Sequence, residues 1–457
     1  MESKRVAFVA ILMIMVMVGL ASAACTNAIK LVSDGENEME SGFGSKMMKN
    51  EFPSPIDRLE MMKLFSALVF MFSTVILSSW IVSASFDFNV LDYGAVGNGK
   101  TDDSQAFLKA WKDVCRATIG IPTLRVPIGK TYLLKPLKFE GPCNPKRVHF
   151  EVRGTIMAPS VAAWRSHNEE NWIQFLDIAG LNINGAGQFD GQSSSWWKDC
   201  HSNCTPPTAL FFQNCTGLRL RETKHINSVK NHISINACND VVISNVHIIA
   251  PENIPNTYGF NISRSNNVLI QNSLIETGDE CISLYNGSSN INIVGVTCGP
   301  GYGISIRSLG EDGGYNVIEN INVSNCTLKG TQNGLRIKTT KGGHGYVRNV
   351  VYKKITLIDT QLPIVIDQQY STFANTRKIK EMGIKVMDVT YREIHGISTN
   401  ESTVILNCSQ TRCSNIVMED VSIRTSSPKK QVKAFCQNVD GRAVSTVPIV
   451  SCLSKSN

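Results

Sequence analysis

Two acids side by side, Asp279-Glu280, and two cations on alternate positions, Arg336 and Lys338, are the residues of this 457-residue sequence best suited to chemistry. A carboxylic acid can give a proton to a leaving group, and a carboxylate can take one from water. Arg and Lys hold anions, Arg through a planar fork. Adjacent acids with two cations in reach describe a site for a charged ligand coupled to proton transfer. Tyr258 and Tyr302 each stand directly before a glycine and join this set once the surrounding repeat is laid out. The competing explanation is a solvated ladder of polar turn residues, the ordinary origin of an isolated Asp-Glu pair.

The elements that must position these residues form a repeat. A tetrad of the form x-apolar-x-apolar recurs as His232-Ile233-Ser234-Ile235, Gly259-Phe260-Asn261-Ile262, Cys281-Ile282-Ser283-Leu284, Gly303-Ile304-Ser305-Ile306, Gly334-Leu335-Arg336-Ile337 and Pro363-Ile364-Val365-Ile366, at steps of 27, 22, 22, 31 and 29 residues. A second short strand precedes most tetrads, as in Val241-Val242-Ile243 and Val268-Leu269-Ile270. Alternation over four residues means a strand with one buried face. Two or three such strands per repeat, separated by turns, make one coil of a parallel solenoid. The period of two argues against helical solenoids, and equivalent residues at equivalent turns argue against the reversing strands of a sandwich.

Equivalent positions on successive coils sit about 4.8 Å apart. The residue before each tetrad is Asn231, Tyr258, Glu280, Tyr302 or Asn333. One short column therefore gathers Tyr258, Asp279, Glu280, Tyr302, Arg336 and Lys338, with the Arg336 side chain directed outward. Asp102 to Cys115 carries Ala106, Phe107, Ala110, Trp111 and Val114 on one stripe and reads as an amphipathic helix closing the N-terminal end of the coils. The expected fold is all-β, a right-handed parallel β-helix with a short N-terminal capping helix.

Composition fits this outline. Hydrophobic residues make up 42% and aromatics only 7%, so a sizeable core is expected to be aliphatic. The net charge of +7 suits a polyanionic partner, but no dense Lys/Arg run points to nucleic acid. Two segments resemble export signals: Lys4-Arg5 through Ala21-Ser22-Ala23, and Met61-Met62-Lys63 through Val82-Ser83-Ala84. The expected organisation is a leader at 1–24, a polar linker or extra leader at 25–60, a second signal-like segment at 61–85 and the β-helix at 86–457, with the functional start at Met61 or Met62. The 14 cysteines agree with export, and Cys200/Cys204, Cys281/Cys298, Cys408/Cys413 and Cys436/Cys452 pair by proximity. Their spacing lacks a zinc pattern, so neither metal nor cofactor is expected. Asn-x-Ser/Thr sequons such as Asn203, Asn214, Asn261 and Asn407 permit glycosylation.

Several motifs together are specific: Pro255-Asn256-Thr257-Tyr258-Gly259, Gly278-Asp279-Glu280-Cys281-Ile282-Ser283, Cys298-Gly299-Pro300-Gly301-Tyr302-Gly303 and Arg336-Ile337-Lys338, supported by Gly185-Ala186-Gly187 through Gln192 and by Ile366-Asp367-Gln368. Through them the sequence resembles the plant polygalacturonases of glycoside hydrolase family 28, over about Phe86 to Cys452. The glycine cluster at 185–191 reads as a coil turn and not a dinucleotide fingerprint, because no helix-opening pattern follows it. The resemblance implies hydrolysis of α-1,4-galacturonan with inversion, in which one carboxylic acid protonates the leaving oxygen and a carboxylate opposite activates water. By motif, Asp279 matches the proton donor, and Arg336 with Lys338 matches the substrate clamp.

Four positions depart from that pattern. Tyr258 and Glu280 stand where the two water-activating Asp belong, Tyr302 where a His belongs, and Arg307 where a Gly follows the Gly-Ile-Ser-Ile strand. Gly343-His344-Gly345 is a decoy for the His motif, in a loop after the Arg-x-Lys coil. Tyrosine, with a pKa of about 10, cannot serve as a base in a mildly acidic wall. Water activation then falls on Glu280, longer than Asp by one methylene, and a misplacement on the order of 1 Å can lose about a hundredfold in rate. The expectation is a secreted, monomeric, wall-associated protein with acidic polysaccharide as partner, and with neither nucleic acid nor stable membrane association. It is either a weakened polygalacturonase or a pectin-binding pseudoenzyme that keeps Arg336 and Lys338, aided by Arg307.

Overall fold

The computed structural model describes Ser85 to Leu453 except residues 165–168, 200–204, 252–253, 312, 371–382 and 428–429, together with Lys63, Ser66, Ala67, Val69, Phe70 and Met71. The chain divides into two units, Met1–Leu77 and Ser78–Asn457. The described residues of the first are helical and exposed. The leader at 1–24, the linker at 25–60 and most of the second signal-like segment lie outside the described residues. Among those described, no helix is long and apolar enough to cross a membrane.

The second unit is a right-handed parallel β-helix. One sheet holds eleven described strands, from Leu137–Glu140 at one end to Lys433–Gln437 at the other, each paired in parallel with its neighbours. Its inward column includes Ile233, Phe260, Ile282, Ile304, Leu335, Ile364 and Val404, all buried, in continuous register. Fully burying such a side chain is worth about 1.5–3 kcal/mol, so the stacked column supplies much of each coil's attachment to the next. The tetrads at 232, 259, 281, 303, 334 and 363 are thus strands of one sheet. Three coils precede them, at Leu137–Glu140, Asn171–Leu176 and Thr208–Gln213, and two follow, at Ser402–Asn407 and Lys433–Gln437.

The remaining strands form the other wall, with 21 strands among the described residues. In the N-terminal half they are short pairs such as Asn239–Ser244 and His247–Ile249. Later they merge into long strands, Tyr315–Lys329 and His344–Thr360. Asparagine suits the bends within these strands because it tolerates the left-handed region: Asn290, Asn320 and Asn349 have φ of 54°, 59° and 54°. Their side chains form a ladder, Asn349 donating to Asn320 at 3.1 Å and Asn320 to Asn290 at 3.0 Å.

The capping helix is Ser104–Arg116, and Ala106, Phe107, Ala110, Trp111 and Val114 are buried as the stripe requires. The core beneath it departs from the aliphatic expectation. Phe139, Phe175 and Phe212 stack at 5.1 Å intervals on successive coils, and Trp111 and Phe150 meet the first two edge-on. A low aromatic total conceals this because the rings are concentrated at one end.

Three of the four proximity pairs are disulfides: Cys281–Cys298, Cys408–Cys413 and Cys436–Cys452. Cys200 and Cys204 lie outside the described residues. A further bond, Cys115–Cys143, ties the end of the capping helix to a loop. Cys215, Cys238 and Cys326 are buried free thiols. A short helix, Ser193–Asp199, does follow the glycine cluster, contrary to the sequence reading. Gly185 and Gly187 nonetheless lie in a coil turn, where an added Cβ would meet the Val152 carbonyl oxygen at 2.4 and 2.5 Å.

Candidate active site

The strands Phe260–Ser263, Ile282–Leu284, Ile304–Leu309 and Asn333–Thr340 lie side by side, and the residues before them form a common lip along one edge of the sheet. Register places Phe260 beside Ile282, Ile282 beside Ile304, and Ile304 beside Leu335. Tyr258, Glu280, Tyr302 and Asn333 therefore occupy one position on four successive coils. The glycines at this lip permit close stacking. Gly303 has φ of +81°, and a Cβ there would meet the Asn333 carbonyl oxygen at 2.2 Å.

Asp279 is held by backbone. Its Oδ1 accepts from the Glu280 amide at 2.9 Å and its Oδ2 from the Asn256 amide at 3.1 Å. Its carbonyl accepts from the Thr277 hydroxyl and from the Tyr302 amide, each at 2.9 Å. Thr257 completes the frame, accepting from the Gly278 amide at 2.9 Å. A carboxylate has about four lone-pair directions, so Asp279 retains capacity toward a ligand.

Glu280 is fully buried, and both of its carboxylate oxygens are taken by guanidiniums. Arg307 Nη1 donates to Oε2 at 2.6 Å, and Arg336 Nη2 donates to Oε1. Arg307 Nη1 also donates to the Tyr258 hydroxyl at 2.9 Å and lies 3.8 Å from Asp279 Oδ1. Its guanidinium carbon is 5.2 Å from the centroid of the Tyr258 ring, a cation–π distance. Arg336 Nε donates to Ser305 Oγ at 3.2 Å. The Arg336 side chain thus leaves the outward face of its strand, as the alternation requires, but its head folds back over Glu280.

Burial pushes the Glu280 carboxyl up to about 7; the neighbouring Asp279 adds to the rise, while Arg336 and Arg307 pull against it. The Tyr258 hydroxyl is raised well above an ordinary phenol, first by burial and then by Asp279. Burial likewise raises Tyr285, to about 12. Tyr258 is therefore no base near neutral pH.

The structure brings Tyr258, Asp279, Glu280, Arg307 and Arg336 into one cluster. Tyr302 is half-buried beside it, tied through its backbone amide. Lys338 is half-buried two residues beyond Arg336, next to Asp367 in register. The decoy His344 opens the strand His344–Thr360 on the other sheet and does not lie in a loop. Sequence reasoning missed Tyr285, whose hydroxyl feels the charges of Arg307 and Glu280, and Ser305, which accepts from Arg336. Ser305 has the outward third place of its tetrad, the signal that singled out Arg336, whereas Tyr285 lies just past the strand Ile282–Leu284.

A family model described as glycosyl hydrolases family 28 matches residues 115–447. A probable polygalacturonase of Arabidopsis thaliana is 44% identical over 381 residues, covering 82% of this chain and 82% of that one. The polygalacturonase of Persea americana is 37% identical over 368 residues, covering 78% of each. Among solved structures, the endo-xylogalacturonan hydrolase of Aspergillus tubingensis matches with a TM-score of 0.65 at 20% identity, covering 79% of this chain and 100% of that one. The exopolygalacturonase of Thermotoga maritima gives 0.60 at 18%, covering 74% and 88%. At those identities the structural likeness is one of fold, whereas the sequence matches span the coils, the lip and the clamp together. The chain belongs to glycosyl hydrolase family 28.

Proposed function

We propose that this chain binds pectin, as polygalacturonate, in the groove over Asp279, Arg336 and Lys338, and hydrolyses it weakly or not at all. The relatives named as polygalacturonases support the ligand. In this reading Asp279 keeps the proton-donor position, while Arg336, Lys338 and Arg307 face the carboxylates of an acidic polysaccharide. The protein acts outside the cell, in the wall, as a monomer.

The observation that carries the reading is the double capture of Glu280. When ionised, both oxygens are held by Arg307 and Arg336. When protonated, the carboxyl has lost the basicity needed to take a proton from water. Either state leaves no open carboxylate for water activation, and Tyr258 offers none. A positioned acid or base is worth about 10²–10⁴ in rate, so turnover falls by at least that range.

One observation favours a second reading, in which Glu280 is the base of a slow polygalacturonase. A carboxyl titrating near 7 is suited to general base work. Reducing-end release from polygalacturonate, measured beside retention on immobilised polygalacturonate, separates the two. Retention with negligible release is expected. Rapid release that disappears in Asp279→Asn while retention persists would overturn the first reading in favour of the second.

A further inference from the structure

Far along the chain from the groove residues, the turns and strands Val148–Val152, Leu181–Asn184 and Arg219–Arg221 of the larger sheet enclose a cavity of about 580 Å³. Its floor is bare backbone because two glycines stack there. An added Cβ on Gly180 would meet the Lys146 carbonyl oxygen at 2.2 Å, and one on Gly217 would lie 3.7 Å from the Gly180 Cα. The lining carries Lys146, Arg147, Arg219 and Arg221 against a single carboxylate, Asp240.

These cations are not equivalent. Arg219 is fixed, donating from Nη1 to the Asp240 carbonyl at 2.7 Å and from Nη2 to Asp240 Oδ2 at 2.9 Å. Lys146, Arg147 and Arg221 are exposed and make no ion pair among the described residues. Alternation puts Arg219 and Arg221 on the same outward face, with Leu220 in the core between them. Register aligns His149, Asn182 and Arg219 on three successive coils. Asn182 Oδ1 is buried and has no hydrogen-bond partner among the described residues. A buried acceptor left unpaired calls for a donor from outside the chain.

We infer that this cavity is a second binding site, taking one end or a short run of a uronate-bearing polysaccharide. Carboxylates meet Lys146, Arg147 and Arg221, and a sugar hydroxyl donates to Asn182 Oδ1 once rotation of that half-buried side chain brings the atom to the cavity surface. The hydroxyl distinguishes this ligand from polyphosphate, which at neutral pH brings acceptors and almost no donors. The volume falls within the range of about 300–1,000 Å³ usual for small-ligand sites, enough for two or three sugar rings. The choice of uronate rests on the reading of the groove; the existence of an anion site does not. Two sites on one chain would hold the protein to a polysaccharide network more tightly than either alone.

Calorimetric titration with trigalacturonate tests the inference on the whole mature protein. Two equivalents are expected for the unaltered chain. The double change Arg147→Glu with Arg221→Glu removes one of them, and Lys338→Ala weakens the other. Because the reversed residues are exposed, folding is expected to persist. Arg221→Gln alone supplies a milder check and weakens the second equivalent about tenfold or more. A single equivalent that survives the double reversal and responds to Lys338→Ala overturns the second site and leaves the groove reading intact. A single equivalent lost in the double reversal does the opposite. A second site that takes inorganic tripolyphosphate but not trigalacturonate overturns the proposed ligand.

Discussion

Arg307→Met tests the network at the centre of the groove. It removes one of two guanidiniums from a carboxylate with no exposure, while the Arg307 side chain itself is 18% exposed. Deleting one partner of a buried pair costs about 3–5 kcal/mol. Arg336 remains, so a loss of about 3 kcal/mol is expected only where Glu280 is ionised in both proteins, above about pH 9, and about 1.4 kcal/mol at pH 8. The sign with pH follows from Glu280. Its carboxyl titrates at about 7 when folded, against 4.5 ordinarily, so the folded state binds the proton more tightly and ionising Glu280 lowers stability as pH rises from about 4.5 through 7. Losing Arg307 raises the folded value further; 3 kcal/mol corresponds to about two more pH units. The variant's extra loss is therefore confined to pH above about 7, where the unaltered protein is ionised, and nearly vanishes by pH 5, where Glu280 is protonated in both. Thermal unfolding followed by circular dichroism across this range reads the difference. Arg412→Met is the control, because the Arg412–Asp440 pair is exposed and is expected to shift nothing measurable at either pH. An equal loss at pH 5 and pH 8, or none at pH 8, would refute the ion pair as the source.

The triple change Tyr258→Asp, Glu280→Asp and Tyr302→His leaves Arg307 in place to capture the new carboxylates. Adding Arg307→Gly is expected to raise reducing-end release at least about a hundredfold over the triple change, and equal rates would locate the loss elsewhere in the groove. Phe175→Ala empties the middle of the Phe139–Phe175–Phe212 stack and is expected to lower stability by about 4 kcal/mol. Hydrogen exchange should quicken first in 137–140 and 208–213, the neighbouring strands, if the stack holds that end together.

The coils from 232 to 366 were legible because their tetrads alternate cleanly and, from 259 on, carry a glycine, cysteine or proline at the lip. The coils at 137, 171 and 208 were not: Leu137 and Ile173, and Ile173 and Leu210, are register partners separated by longer excursions than any tetrad step. Concentration of aromatics at one end was equally hidden, since composition counts rings without saying which coils hold them. Proximity found Cys281–Cys298 but not Cys115–Cys143, which joins a helix end to a loop 28 residues on. At the site, register brought the right residues to one column, because backbone pairing alone decides that. It could not show where long side chains end. Arg336 and Arg307 start on outward positions, and only the burial of Glu280 beneath them draws their heads back into the wall.

That burial changes what the departures mean. Counted separately, Tyr258, Glu280 and Arg307 are three unrelated departures from the pattern that the resemblance implies. In the folded chain they are bonded to one another: a single guanidinium nitrogen of Arg307 meets the Tyr258 hydroxyl and the Glu280 carboxylate, and its ring contact lies on the same tyrosine. Each stabilises the others in a place where an unpaired charge would be costly. Reverting Arg307 alone removes one of the two guanidiniums on the buried Glu280 carboxylate, so that single reversion is disfavoured by stability before activity is considered. Among the described residues, Tyr302 meets this cluster through its backbone amide and not its side chain. Under the proposed reading an internal ion pair stands where water would be activated, and Arg307, the residue with no counterpart in a proton-transfer scheme, completes it.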